Sequence, residues 1–579
     1  MKTLKKTLAL LLCAMSAASG FSACSGREGA PDVDETKTQL HVKYYNGGLG
    51  DVWINQVIAD FEKKYENHSF QDGKMGVQIQ KDFEKSNIQA DLVSKSPNHV
   101  FLLESMNYYE FYSKGVMYDL TDLVQGYAAT GPNETESART IESKMNADRK
   151  NFYNMGTEAK ADYKALPFYE SSMSLIYNVD LFEKKGWYLA EGKTAEGMTE
   201  AEQKDFAAVY PLFIPYDDTT TKKSNGPDGK TGVIDGVDYS ADDGLPATYA
   251  DFQALLTVIK TSGATPFIGN GYSTDYFTSL ATEIWATASG LDEIKLSMSL
   301  NGTSNTILDL DKNGKVQYDE QGNLKMLENV EITPSNAYLL HAQKGKLDAI
   351  KFVKMLMEAG YYSSSFSPSF SHRMAQEYFI NGYEKELVGS EIAMLVDGSW
   401  WNSEARKDYV TAEERATKRF ANMPIPKPDA SQIGENTVRV SERSSLMFVN
   451  AYTPKKILPA ALEFMSYLQS DEAMNTFSVH TDMLRGMDYT ITEDNLALMT
   501  NFGRANYQMS RAKTTDWIEW VPTSLIAKQN SAMLGSNKWG FSDGKKTNPF
   551  IYYKDNGTTA PATYFTSIYN HYKNGWNLK

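Results

Sequence analysis

Cysteine is almost absent: the chain has two in 579 residues, Cys13 and Cys24. Cys13 lies inside an apolar N-terminal run, which leaves one thiol beyond it and no intrachain disulfide to hold a fold. Long apolar runs are missing too. Residues 8–15 are too few to span a bilayer as a stable helix, and no other stretch reaches the ~20 apolar residues a span needs. Positive charge is in deficit, with 58 Lys and Arg against 73 Asp and Glu and a net charge of −15. That balance argues against a nucleic-acid partner and against a polybasic membrane footprint. The seven histidines (41, 68, 99, 341, 372, 480 and 571) are scattered, with no HExxH and no ligand pair at helical spacing. There is no GxSxG and no GxxxxGK[ST]. Among 73 acidic residues some pair can always be named as glycosidase carboxylates, so their number decides nothing. Neither an internal repeat nor a heptad run is visible.

What is present begins at the N-terminus. Lys2, Lys5 and Lys6 precede the apolar run, and Ser22-Ala23 precede Cys24. A basic start, a short apolar run and small residues form a secretion signal, not a fold element. Small residues directly before a cysteine resemble the lipobox of bacterial lipoproteins. That resemblance implies removal of residues 1–23, lipidation (palmitate) of Cys24 and a lipid anchor on the extracytoplasmic face of the cell membrane. One acyl chain holds weakly and two hold well. Residues 24–38 are polar and read as a flexible tether. Beyond them, a chain that is 41% apolar, with Tyr 35, Phe 26 and Trp 9, has enough to build two or more cores.

The folded part is expected to open at Gln39. Residues 40–45 alternate as a strand into Asn46-Gly47-Gly48, and residues 53–65 carry apolar side chains at helical spacing. Residues 76–79 form a second strand. Residues 99–103 form a third, apolar throughout as in a buried parallel sheet, and end in Glu104. Strands are expected at 174–177 and 446–450, with a strand, turn and helix over 391–409. Helices are expected over 246–260, 279–288, 345–359 and 460–477, and a further one starts at 178–180 with Asn178 or Asp180 as a cap. Residues 190–244 and 290–345 read as inserted excursions. Residues 424–428, PIPKP, form a rigid extended connector. The pattern is α/β, a class that places ligands at the carboxyl ends of strands.

Several stretches in this order are similar to the extracellular solute-binding proteins of carbohydrate-type ABC importers, the family-1 group that includes maltodextrin-binding protein. They are Tyr44-Tyr45-Asn46-Gly47-Gly48, Leu166-Pro167-Phe168 and the run from Ser174 through Phe182 with Gly186. Then come Ala393-Met394 with Asp397-Gly398-Ser399-Trp400, Pro424-Ile425-Pro426, and residues 461–468 followed by Ser470-Asp471-Glu472-Ala473. The resemblance covers about residues 39–480. It implies a two-lobed, periplasmic-binding-protein-like α/β fold with a hinge and an inter-lobe cleft. The first lobe would comprise 39–160, the second 165–425, with a return to the first over 441–480. A helical, aromatic-rich region at 481–579 would complete the second. It implies a non-catalytic, monomeric receptor that captures a saccharide and delivers it to permease subunits, lipid-anchored as in Gram-positive members. The alternatives from other classes are a glycan- or host-binding surface lipoprotein without a transport role, and a secreted glycoside-acting enzyme.

A saccharide needs flat aromatic faces for its C–H surface and polar groups for its hydroxyls. Candidates are Trp400 and Trp401, next to Asn402 and Glu404, together with Asn107 and Tyr108 after the third strand and Tyr45 and Asn46 after the first. Tyr169 and Glu170 flank the crossing between lobes. Asn270, Tyr272 and Tyr276 form a polar-aromatic cluster, and Trp517 and Trp520 a late platform. Residues 309–320 meet the calcium-loop pattern D-x-[DN]-x-[DN]-G-x5-E. Asp309, Asp311, Asn313, Lys315 through its carbonyl, Gln317 and Glu320 would be the ligands of a structural Ca2+.

Overall fold

A computed structural model describes residues 33–578, apart from 85–87, 105–107, 158, 191, 214–230, 235–236, 243, 272–274, 364–366, 382–390, 442–444, 531–537 and 543–544. The secretion signal, Cys24 and most of the tether lie outside the described residues. The fold starts earlier than Gln39. Asp34 N donates to Gln78 Oε1 at 2.8 Å, and Met75 N donates to the Thr36 carbonyl at 2.9 Å. Residues 34–37 are therefore laid against the sheet edge and not free tether.

Two four-stranded sheets organise the chain. The strands are β1 (Thr38–Tyr45), β2 (Val77–Glu84), β3 (Val100–Glu104), β4 (Met173–Asn178), β5 (Thr265–Gly269), β6 (Ile392–Gly398), β7 (Phe420–Asn422) and β8 (Ser445–Val449). The first sheet has the order β8-β3-β1-β2 and the second β7-β4-β6-β5. In the first, β1 runs parallel to β2 and β3, with Leu40 opposite Ile79 and Val42 opposite Val100. Strand β8 enters antiparallel, with Leu446 opposite Leu103. In the second, β6 is parallel to β5 and antiparallel to β4. Buried residues alternate along β1, through Leu40, Val42 and Tyr44, whereas β3 and β6 are buried on both faces. This is the burial that alternating and continuous apolar patterns produce.

The first lobe is closed by helix Val52–Lys64, which turns Trp53, Val57 and Phe61 inward. The expected single helix over 460–477 is two helices, Leu458–Tyr467 and Asp471–Thr481. Ser470 breaks it, because its hydroxyl accepts from Ala473 N at 3.2 Å and caps the second helix. Lys64 and Glu472 then pair at 3.1 Å across the two packed helices.

In the second lobe, helices Tyr249–Thr261 and Asp275–Ser289 pack on the sheet, and a third, Lys344–Leu356, packs on Asp275–Ser289. The last helix, Pro561–Gly575, packs on the third of them and on the Ala337–Ala342 turn. One tie to this tail is the buried Lys346 amine. It meets His341 Nδ1 at 2.8 Å and the Lys538 carbonyl at 2.5 Å, and lies 3.9 Å above the Trp285 ring. The 290–345 excursion is folded, not loose. It holds helix Leu291–Ser299, a hairpin of Gly302–Ser304 with Val330–Ile332, and two tandem turns.

Between the lobes the chain crosses near 166–172, where it is bridged to the two strands that flank residues 442–444. Leu166 pairs with Met447 and Ser172 with Ser441. Below them Arg149 Nη2 reaches Glu170 at 2.5 Å and Glu519 at 2.6 Å. Arg439 Nη1 reaches Glu283 at 2.6 Å. These are buried charges with carboxylate partners, so removing one partner is costlier than the pair is stabilising. Strand Thr437–Ser441, paired in parallel with Thr515–Glu519, carries Arg439 to this point.

Candidate ligand-binding cleft

The carboxyl ends of β1, β2, β3 and β6 converge on one cavity of about 540 Å³. From the first lobe it is lined by Tyr45, Asn46, Gly47, Gly48, Leu49, Phe83 and Glu104. Tyr169 of the crossing and Tyr276, His372, Trp400 and Glu404 of the second lobe complete it. The position follows from the topology, since strand ends in an α/β sheet leave a crevice where loops diverge.

Each wall has a local cause. After β1 the chain turns sharply: Gly47, Gly48 and Gly50 have φ of 47°, 85° and 75°, and Asn46 Oδ1 accepts from Gly50 N at 2.7 Å. A Cβ at Gly48 would lie 3.0 Å from the Glu404 Cβ. Glycine there lets the two lobes approach, besides permitting the left-handed backbone. Ser403 Oγ donates to the Leu49 carbonyl at 3.3 Å. Arg415 pairs with Asp482 at 2.6 Å, and Arg406 donates to the His480 carbonyl at 3.0 Å. The segment 402–415 thus rests against the first lobe along one edge of the cleft.

On the opposite side, Gly398 lets the Trp400 ring fold back over the end of β6; a Cβ there would fall 2.3 Å from that ring. Trp400 meets Tyr276 edge-on, with centroids 5.5 Å apart. Behind these rings lies a polar chain. Gln376 Nε2 donates to Asp397 Oδ2 at 2.9 Å and to Glu404 Oε2 at 2.8 Å. His372 Nε2 stands 3.4 Å from Glu404 Oε1. The bond to Glu404 raises the His372 pKa. Burial, and secondarily the Glu404 charge, raises that of Asp397. Across the cavity Tyr169 donates its hydroxyl to Glu104 Oε2 at 2.5 Å, and the Tyr169 and Phe168 amides are held by Ser445 Oγ.

Of the candidates named from sequence, Trp400, Tyr45, Asn46, Tyr169 and Tyr276 line this cavity. Others are corrected. Trp401 is fully buried, packed against Phe379, Phe420 and Phe502 with centroids 5.1–5.6 Å away; it is a core anchor. Tyr108 is also fully buried and donates to the Tyr153 carbonyl at 2.8 Å. Glu170 belongs to the Arg149 ion pair beneath the crossing. Asn270 is buried beside the end of β5 and is not among the residues that line the cavity. Trp520 packs against Trp285 at 5.6 Å, and Trp517 lies beside the Arg439 guanidinium at 5.9 Å; neither lines the cavity. Asn107 and Tyr272 lie outside the described residues. Phe83, Glu104, His372 and Glu404 were not among the candidates. Glu404 carried a signal, four residues after Trp400 and so on the same face of a helical turn.

The 309–320 run, expected from its sequence as a calcium loop, engages its turn carboxylates with backbone amides. It folds as two tandem turns, with Leu310 bridged to Val316 and Tyr318 to Leu324. Asp311 Oδ1 is taken by Asn313 N and Lys315 N, and Asp319 Oδ1 in the same way by Gln321 N and Asn323 N. The Lys315 carbonyl accepts from Asp311 N. Glu320 sits in the second turn, next to the Asp319 that holds that turn together. Among the described residues there is no group of three or more His, Cys, Asp or Glu placed to share a metal ion. The two turns are also a short repeat, D-x-x-G at a spacing of eight residues, that sequence reading did not register.

No protein-family model matches the chain, and no curated protein matches it in sequence. Solved structures do. The SBP RafE in complex with raffinose is 13% identical and aligns over 92% of this chain and 99% of its own, with a TM-score of 0.50. A structure from work on xylan utilization by the thermophilic bacterium Caldanaerobius polysaccharolyticus is 12% identical over 92% and 99%, with a TM-score of 0.51. The bacterial solute receptor AcbH, described as exclusive for β-D-galactopyranose, is 11% identical over 93% and 100%, with a TM-score of 0.50. At these identities the likeness establishes the architecture: this chain has the two-lobed α/β fold of solute-binding proteins. No helix among the described residues is long and apolar enough to cross a membrane.

Proposed function

We propose that the chain is a non-catalytic receptor that closes two lobes around a saccharide, an oligosaccharide by preference, and passes it to the permease subunits of an ABC importer. The observation that carries this reading is the cleft itself. Five ring side chains (Tyr45, Phe83, Tyr169, Tyr276 and Trp400) alternate with Asn46, Glu104, His372 and Glu404 around about 540 Å³. Flat apolar faces beside hydrogen-bonding groups are what a sugar's two kinds of surface require. The raffinose complex of RafE and the galactopyranose preference of AcbH support the same ligand class. A thermal-shift screen over di- and oligosaccharides tests it, since a ligand of the native state raises the melting temperature. A shift with a peptide and none with any saccharide would overturn the ligand class. Turnover of a glycan by pure protein would overturn the receptor reading.

The lipid anchor at Cys24 belongs to this proposal and rests on the sequence. Replacing Cys24 with Ala is expected to release the protein from membranes or leave it unprocessed, as fractionation will reveal. We read the tandem turns at 309–320 as a clasp for the last helix and not as a cation site, because Asn570 Nδ2 donates to the Asn313 carbonyl at 2.8 Å and Thr566 Oγ1 to that of Gly314 at 3.0 Å. Calorimetry with calcium is expected to give no binding heat. A saturating titration that a Glu320→Gln exchange removes would reinstate the metal.

A further inference from the structure

The chain enters the fold at one end of the first sheet, and the cleft lies at the other. Strand β1 starts at Thr38, and the residues before it are laid against the start of β2 through Asp34 and Thr36. The cleft takes Tyr45 and Asn46 from the opposite end of β1. The eight residues of that strand, rising ~3.3 Å each, separate the two ends by about 25 Å. Residues 25–32 stand between Cys24 and Val33, where the described chain begins. At full extension such a segment reaches at most about 30 Å.

The amino end of the sheet carries its own surface. Leu92, before β3, is 52% exposed, and Tyr452, after β8, is 60% exposed. Buried Asn450 draws their segments together. Its Nδ2 donates to the Val93 and Asn98 carbonyls at 3.1 Å each, and its Oδ1 accepts from Tyr452 N at 3.0 Å. Ala451 N donates to the Val116 carbonyl at 3.0 Å. Residues 90–99, 110–116 and 450–457, gathered in this way, hold four lysines (95, 114, 455 and 456) and two acids, Asp91 and Glu110. Both acids pair with Lys114, at 3.2 and 2.8 Å, and Lys95, Lys455 and Lys456 are exposed. The acidic balance of the whole chain is reversed in these segments. The order β8-β3-β1-β2 sets β8 three strand spacings, about 15 Å, from the β2 edge where the tether enters.

An exposed tyrosine and leucine among lysines match a lipid surface: the ring sits at headgroup level and the ammonium groups meet lipid phosphates. We propose that the amino end of the first lobe is a resting surface for anionic lipid, engaged by Leu92, Tyr452, Lys95, Lys455 and Lys456. The anchored receptor then waits with its cleft facing away from the bilayer. This rests on the Cys24 anchor reading and gives that anchor an orientation. Each contact is weak, and the short tether supplies the local concentration that makes it effective.

The test supplies the anchor chemically. The chain from Cys24 onward has one thiol, which couples to maleimide-headgroup lipid in vesicles of phosphatidylglycerol and phosphatidylcholine. Amine acetylation read by mass spectrometry reports each lysine. Lys95, Lys455 and Lys456 are expected to react about fivefold more slowly than in the uncoupled chain, with exposed Lys184 of the second lobe unchanged. In a Leu92→Ser, Tyr452→Ser, Lys455→Glu, Lys456→Glu variant, all at exposed positions, protection of Lys95 is expected to fall to about twofold or less. Should that variant not fold, the parent on vesicles of phosphatidylcholine alone is expected to show the same fall. Lys95 reacting as fast as in the uncoupled chain, or protection that survives both changes, overturns the resting surface and leaves the anchor standing. A Cys24→Ala protein that fractionates with membranes like the parent overturns the anchor and its orientation together.

Discussion

Two adjacent tryptophans end in opposite surroundings, and the difference gives a paired prediction. Trp400 faces the cavity and Trp401 the core. Trp400→Ala is expected to weaken saccharide binding by about 1–3 kcal/mol, read by calorimetry, with the melting temperature shifted less than in its neighbour. Trp401→Ala is expected to cost about 3–5 kcal/mol of stability, read by denaturant unfolding. His372 gives a second prediction. Its raised pKa means that the fold favours the protonated ring, through the bond to Glu404. The stability this supplies is complete below its unperturbed value of 6.5 and is lost as pH rises through the raised folded value. Burial raises the Asp397 pKa in the same sense, so its ionisation opposes folding as pH rises. The parent's stability advantage over His372→Gln should therefore be largest on the mildly acidic side and fade in alkali, as paired melts across pH will reveal. At this scale the sequence was legible where a ring or amide follows a strand, as with Tyr45, Asn46 and Trp400. It was not legible at His372, which reaches the cleft from the start of a helix with no local pattern to mark it.

Single elements fail to be read where polarity hides pairing or a cap hides a break. Strand β2 looks finished at Ile79 because Gln80, Lys81 and Asp82 follow. It runs on to Glu84 since its backbone stays in register with β1, Tyr44 opposite Phe83 and Tyr45 opposite Glu84. As an edge strand it has an outer face that tolerates polar side chains, and that continuation is what delivers Phe83 to the cleft. The interruption at Ser470 is the converse: residues 460–477 keep helical periodicity, yet one hydroxyl cap and a change of axis divide them. Ser470→Ala is expected to destabilise the protein by about 1 kcal/mol, measured by chemical denaturation, without altering ligand affinity. The calcium-loop pattern admits a second reading for a related reason. Asp and Gly at these spacings serve a β-turn equally well, the carboxylate satisfying backbone amides where the metal would have been.

For the whole molecule, alternating strands and helices declared the α/β class, while the pairing of distant segments did not show in any one stretch. The parallel pairing of Thr437–Ser441 with Thr515–Glu519 and the packing of the last helix on the second lobe depend on chain return, which carries no local periodicity. Strand β8 is the plainest instance. It supplies the fourth strand of the first sheet, with Ser445 opposite Glu104, after the chain has already built most of the second lobe. Such a long loop must close before its contacts are gained, which slows folding. During synthesis the amino-terminal portion would emerge with the β3 flank unpaired, a bare edge open to wrong partners. A chain ending at residue 440 is expected to be insoluble, while the full chain refolds slowly from denaturant, as sedimentation and stopped-flow fluorescence will measure. Completion of the first sheet thus waits on a strand made after most of the second lobe, and a protein interrupted before that strand would leave its first lobe open.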